Sequence, residues 1–184
     1  MKFKTIFATI VFGIIFLMAG CATKGDSNIY LKNTQLGGTI EYALNGDGNG
    51  YIVHKYEGND AYIAIPNKHE GLPVVGVDKN AFRGISSLET IIFPDSIKTI
   101  AYGAVYECRS IKNVVFGSDT TYSPTAIREC YPNRVYYKGT EEDWKSKKYG
   151  DEFYLQRASI FFYSKTKVKG MWHYNANGRI EVWS

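Results

Sequence analysis

Two cysteines raise the first chemical question. Cys108 closes "AVYEC", Ala104 to Cys108, and Cys130 closes "AIREC", Ala126 to Cys130. A thiolate behind a carboxylate could act as a nucleophile, and a cysteine pair could hold a metal or close a disulfide. A nucleophile needs a base and an orienting group, yet none of the three histidines, His54, His69 and His173, is pinned near a cysteine by spacing. Zinc needs about four ligands, and neither C-x-x-C nor H-x-x-x-H spacing occurs. A catalytic residue is normally unique, whereas a structural one recurs with its repeat. The duplicated pattern therefore points to packing, as buried thiols or as a disulfide. Export would permit a disulfide, but equivalent side chains in stacked coils lie roughly parallel, and the bond is geometrically demanding.

Other residue groups that could do chemistry have plainer readings. "NGDGNG", Asn45 to Gly50, partly resembles the opening of a calcium loop. The acid required at the loop's twelfth position would fall on Tyr56, and no exiting helix follows, so a hairpin turn is expected. Glu141, Glu142 and Asp143 splay apart on consecutive helical positions and suit a helix N-terminus, where acids oppose the dipole. No catalytic residue, metal site or cofactor is assigned.

The cysteine with expected chemistry is Cys21. Lys2 and Lys4 precede the apolar run "IFATIVFGIIF", which leads into "LMAGC". That order is a signal peptide, positive then apolar then small, and the apolar run is short for a membrane span. "LMAGC" resembles a bacterial lipobox, with Met18 at the usual leucine, which implies lipidation of Cys21. Several acyl chains suffice for stable anchoring. The alternative is an ordinary secretory signal cut nearby. Residues 1–20 are thus expected as signal and 21–37 as a polar tether.

Removing residues 1–20 takes two lysines and no acid from 22 basic and 18 acidic residues, leaving 20 against 18. That near balance, with the expected export, argues against nucleic acid as a partner class. An apolar share of 45% and an aromatic share of 15% fit a folded chain.

The elements that must position these residues come from a repeat. "LETIIFPDSIKTIAYGAVYECRS", Leu88 to Ser110, and "IKNVVFGSDTTYSPTAIRECYPN", Ile111 to Asn133, are each 23 residues long. Ile91-Ile92-Phe93 matches Val114-Val115-Phe116, and Val135-Tyr136-Tyr137 begins the next copy. "IAIPNKHEGLPVVGVDKNAFRGISS" is a longer copy upstream. A fixed period in the twenties predicts a solenoid, with short β-branched strands stacked turn on turn. Cys108 and Cys130 then take the apolar position that Ile85 holds in the first copy.

The fold expectation is α/β, mostly β, with a leucine-rich-repeat solenoid over 61–139. An N-terminal capping hairpin is expected over 38–60, turning at the Gly/Asn/Asp cluster. A closing helix and strand follow over 140–163, with Thr140 as N-cap to Asp143 and Trp144 as apolar anchor. An aromatic hairpin tail turning at Asn177-Gly178 covers 164–184.

Read against its consensus, "LETIIFPDSIKTIAYGAVYECRS" resembles the BspA-like leucine-rich repeats of bacterial surface proteins. "GLPVVGVDKNAF", "VYYKGTEEDWKS" and "YSKTKVKGMWHYNANGRIEVW" resemble that family's opening repeat, closing segment and tail. "GSDTTYSPTAIREC" departs from it by losing a proline, a glycine and one residue. The resemblance implies a non-catalytic, lipid-anchored surface protein that binds a protein or glycan on a host or neighbouring cell. Solenoids dock partners on their strand face, which places Glu89, Thr90, Lys112, Asn113 and Arg134 on the expected surface. Trp172 and Tyr174 either join that surface or cap the solenoid's end. The rival function is a glycan-binding or glycan-processing accessory acting through the aromatic C-terminal region.

Overall fold

The computed structural model describes residues 37–184 apart from 124 and 148–152. The signal, Cys21 and nearly all of the tether lie outside the described residues. Among the described residues seventeen elements follow in chain order. β1 (Thr39–Leu44) and β2 (Tyr51–Glu57) form a hairpin, followed by β3 (Tyr62–Ala64), β4 (Lys68–His69), β5 (Leu72–Val77) and β6 (Phe82–Arg83) in the first turn of a coil. The second turn holds β7 (Thr90–Ile92), β8 (Thr99–Ile100) and β9 (Val105–Tyr106), and the third holds β10 (Asn113–Phe116), β11 (Thr121–Tyr122) and β12 (Ile127–Arg128). β13 (Arg134–Tyr137), α1 (Glu141–Ser146) and β14 (Ser159–Phe162) close it, and β15 (Trp172–Tyr174) and β16 (Ile180–Val182) form a last hairpin.

Stacking the turns makes three faces. A five-stranded sheet runs β14-β13-β10-β7-β3, and its neighbours are all parallel. A second face runs β5-β8-β11, and β2 joins it in parallel so that the N-terminal hairpin covers the open first turn. The third face is β6-β9-β12, two residues per strand. The mostly-β repeat solenoid expected from the period is the fold observed.

Register turns sequence periodicity into columns of like side chains. Ile63, Ile91, Val114, Val135 and Ile160 align across the five-stranded sheet and point inward. Phe82, Val105 and Ile127 align on the third face, each 0% exposed. Phe93 and Phe116 stack with centroids 5.5 Å apart and planes 4° apart. Each such buried side chain contributes about 1.5–3 kcal/mol. The period is not rigid. Ile91 and Val114 are 23 residues apart, Val105 and Ile127 are 22, and Val114 and Val135 are 21. The third turn therefore drops one residue before its second face and another at the corner Tyr131-Pro132-Asn133.

The ends are closed by local rules. In the first hairpin the Asn45 side chain accepts from Asn49 N at 3.0 Å and Gly50 N at 3.1 Å, so "NGDGNG" is a turn organised by an asparagine. At the other end Thr140 Oγ1 accepts from Asp143 N at 3.1 Å, and Trp144 packs its ring 5.1 Å from Tyr137. Gly139 lies so close under Tyr137 that a Cβ there would collide with that ring.

Each turn also needs left-handed backbone at two fixed places. Asn80, Gly103 and Thr125 have φ of 61°, 59° and 64°, each just before the Ala that precedes a third-face strand. Gly84, Glu107 and Glu129 have φ of 69°, 57° and 50°, just after those strands. The glycine missing from the third copy is thus replaced by a β-branched residue forced into the same conformation, at a cost of order 1 kcal/mol or more. We expect Thr125→Gly to stabilise the chain by about 0.5–1 kcal/mol and Gly103→Thr to destabilise it by about 1–2 kcal/mol. Urea-unfolding midpoints of the two variants would check this, and shifts of the same sign would refute the equivalence of the two sites.

Candidate functional site

Cys108 and Cys130 are free thiols, each 0% exposed. They follow Ile85 in one buried column, and Leu155 continues it: Leu88, Ile111 and Ala158 each donate a turn hydrogen bond to Ile85, Cys108 and Leu155 respectively. Cys108 N donates to Cys130 Sγ at 3.2 Å, while Cys130 Sγ donates to Arg128 O at 3.1 Å. The hydrogen bond with Cys108, aided by burial, pushes the Cys130 thiol up and away from the reactive thiolate. No imidazole bonds to either sulfur among the described residues. His54 pairs with Asp78 at 2.9 Å, His69 stacks on Tyr42 and His173 on Trp183. Among the described residues, no group of three His, Cys, Asp or Glu side chains could hold a metal ion.

The outer surface of the five-stranded sheet has two rows. Tyr62, Thr90, Asn113, Arg134 and Ser159 align at the strand starts. Ala64, Ile92, Val115, Tyr136 and Phe161 align two residues on and form an apolar cluster. The C-terminal hairpin joins that cluster. Trp172 is 0% exposed, packs 5.6 Å from Tyr136 and donates from Nε1 to Tyr137 O at 3.0 Å. Tyr174 packs 4.7 Å from Trp172 and beneath Lys138, and its burial pushes its hydroxyl pKa up. Ile180 and Val182 complete the contact.

This arrangement changes the surface expected from the sequence. Trp172 is a core residue and unavailable to a partner, because its indole is consumed by the sheet it covers. Thr90, at 8% exposed, is also buried, with its hydroxyl accepting from Asn113 Nδ2 at 3.1 Å. Lys112 and Arg134 are exposed, and Glu89, Asn113 and Tyr174 are half-buried. Lys112 pairs with Glu89 at 2.6 Å as a rung between adjacent turns.

Two features outside that list emerge only in three dimensions. On the third face Arg83, Tyr106 and Arg128 align outward, with the guanidinium carbons 5.0 and 5.4 Å from the Tyr106 ring centroid. Arg83 also meets Glu107 at 3.3 Å, and Tyr106 Oη donates to Glu129 at 3.3 Å. This stack is satisfied from within the chain. At the corner between the third and closing turns lies an open cleft of about 410 Å³, lined by residues that include Tyr131, Arg134, Tyr154 and Arg157. The Tyr131 and Tyr154 rings are 5.5 Å apart, tilted by 60°, and Tyr131 is 58% exposed. The shortened "YPNR" corner was the sequence signal available for it.

Native alkylation followed by peptide mapping tests the cysteine column. Cys108 and Cys130 should stay unmodified in the folded chain and both react once it is unfolded without reductant. A Cys108–Cys130 linked peptide pair would contradict the free thiols.

Residues 61–132 match a family model described as "BspA type Leucine rich repeat region", in six copies. Among solved structures, the chain is similar to a leucine-rich repeat protein of T. pallidum, with 21% identity over 53% of this chain and 68% of that one and a TM-score of 0.35. It is also similar to a leucine rich cell surface protein from Faecalibacterium prausnitzii A2-165, with 15% identity, 81% of this chain and 61% of that one covered, and a TM-score of 0.27. No curated protein matches the chain.

Proposed function

We infer that this chain works by binding rather than by catalysis, as a surface protein held to a bacterial membrane through lipid on Cys21; the match of residues 61–132 to the BspA-type leucine-rich-repeat model supports the binding role. The partner is a protein or other macromolecule of a host or neighbouring cell. The observation that carries this reading is the five-stranded sheet. Its strands are locked in register, so the polar side chains beside it stand on a stiff frame and lose little freedom when they bind. The Glu89–Lys112 rung, Asn113 and Arg134 form the accessible edge of that frame, whereas the apolar row beside them is closed by the chain's own tail. The family supports protein–protein interaction, and the lipobox-like "LMAGC" supports the anchor.

Two experiments test the halves separately. A fatty-acid probe should label the chain in growing cells, and Cys21→Ala should abolish the label; no label, or label that survives the substitution, removes the anchor. Cells displaying the chain should adhere to partner cells, and Lys112→Glu with Asn113→Ala should weaken that adhesion tenfold or more at unchanged surface amount. Unchanged adhesion would take the partner off this edge.

A further inference from the structure

We propose that the cleft at the corner of the third and closing turns binds an acidic sugar, a ring bearing a carboxylate within a cell-surface glycan. The proposal deepens the surface-binding reading and rests on its assignment of an exported chain.

Charge is the first argument. Lys55, Arg83, Lys98, Lys112, Lys138, Lys145 and Lys147 each meet a carboxylate, whereas Lys79, Arg109 and Arg179, like the cleft arginines, form no ion pair among the described residues. Arg134 and Arg157 line one cleft with no carboxylate partner among the described residues, and none of the residues lining the cleft is acidic. Glu129, two residues before Tyr131, is turned away to Tyr106. Two guanidinium groups therefore line the cleft, and their planar donors match a carboxylate in two parallel hydrogen bonds.

Shape is the second argument, and it selects a sugar over a peptide. Tyr131 and Tyr154 form a tilted wedge of aromatic surface, and such rings combine an apolar face with a polar tip. A sugar ring presents the same mixture of C–H faces and hydroxyls. An acidic peptide would add affinity through main-chain pairing, but the amides it would use are taken. Asn133 N and Arg134 N donate to Lys112 O at 2.9 and 3.0 Å, and Ser159 N donates to Asn133 O at 2.9 Å.

The chain's own fold presents the four side chains. Leu155 plugs the buried column, which puts its neighbours Tyr154 and Arg157 at the surface. The loss of a residue at Tyr131–Asn133 tightens the facing corner, and Arg134 is held by strand register opposite Ser159.

Titration of the full-length chain in detergent with a uronic-acid oligosaccharide tests the proposal, against the same oligosaccharide reduced to its neutral alcohol and against a tetraglutamate peptide. The acidic oligosaccharide should bind, the neutral one at least tenfold more weakly, and the peptide no better than the neutral one. Arg157→Gln and Arg134→Lys should each weaken binding about tenfold. Tyr131→Ala should do the same, while Tyr131→Phe binds as the parent does. Equal binding of the neutral oligosaccharide overturns the carboxylate, tighter binding of tetraglutamate overturns the sugar, and no binding of any probe overturns the site. Lys112→Glu should leave sugar binding unchanged, so adhesion lost in that variant with sugar binding intact, or the reverse in Arg157→Gln, separates failure of this site from failure of the wider reading.

Discussion

Everything in this chain depends on parallel strands stacking in register, turn upon turn. A parallel ladder pairs each strand with its equivalent in the next coil, so a residue's environment is decided by what stands about 23 positions away. Ile91 needs Val114, Phe82 needs Val105, and Glu89 needs Lys112. The surface rungs are exposed ion pairs and contribute little each, about 0–1 kcal/mol. The buried columns carry the stability, because no single turn has enough apolar surface to close on itself. The same constraint explains the duplicated cysteines. A column that holds Ile85 and Leu155 at its ends needs a small apolar side chain in between, and a thiol that can donate to a neighbouring carbonyl serves.

The register also dictates backbone conformation, which costs more where the sequence departs from its own pattern. A coil with three short faces must bend sharply around the third, and it does so by left-handed residues on both sides of each two-residue strand. Gly84 and Gly103 meet that demand with ease, while Thr125, Glu107 and Glu129 meet it under strain. The two glutamates gain partial compensation, since the same geometry aims them at Arg83 and Tyr106. Strain at three of six such positions means that the columns, and not local preference, hold the corners in place.

What was legible in the sequence follows from this division. Columns were legible because equivalent residues are alike: Ile91 with Val114, Val105 with Ile127, Cys108 with Cys130. Hairpins were legible from turn chemistry at Asn45 and at Asn177-Gly178, and the helix from Thr140 and its acids. For Trp172 two readings stood open, docking surface or cap, because an aromatic side chain reads the same whether it faces water or a sheet, and the cap is the one found. The direction in which the tail folds decided it, and that depends on the apolar row from Ala64 to Phe161, which is assembled only when five strands align. Tyr131 with Tyr154, and Arg134 with Arg157, were hidden. They lie 23 residues apart in each case, yet across segments where the repeat pattern has already broken down.

Regularity and recognition pull apart in such a fold. A repeat that matches its neighbours can pair its own charges from turn to turn, as Arg83 with Glu107 and Glu89 with Lys112 do. Little is then left over for a partner. An open cleft arises where one turn is shorter than the last and the next is replaced by a cap. Here the third turn loses two residues relative to the second, and the closing turn carries a helix on its way to β14. Both departures meet at one corner, and that corner is where two arginines, with no carboxylate partner among the described residues, stand beside two tyrosines. The broad sheet face, which a solenoid would ordinarily offer, is here partly filled by the chain's own tail. The two proposed binding surfaces are therefore the edge of that face and the place where the repeat fails.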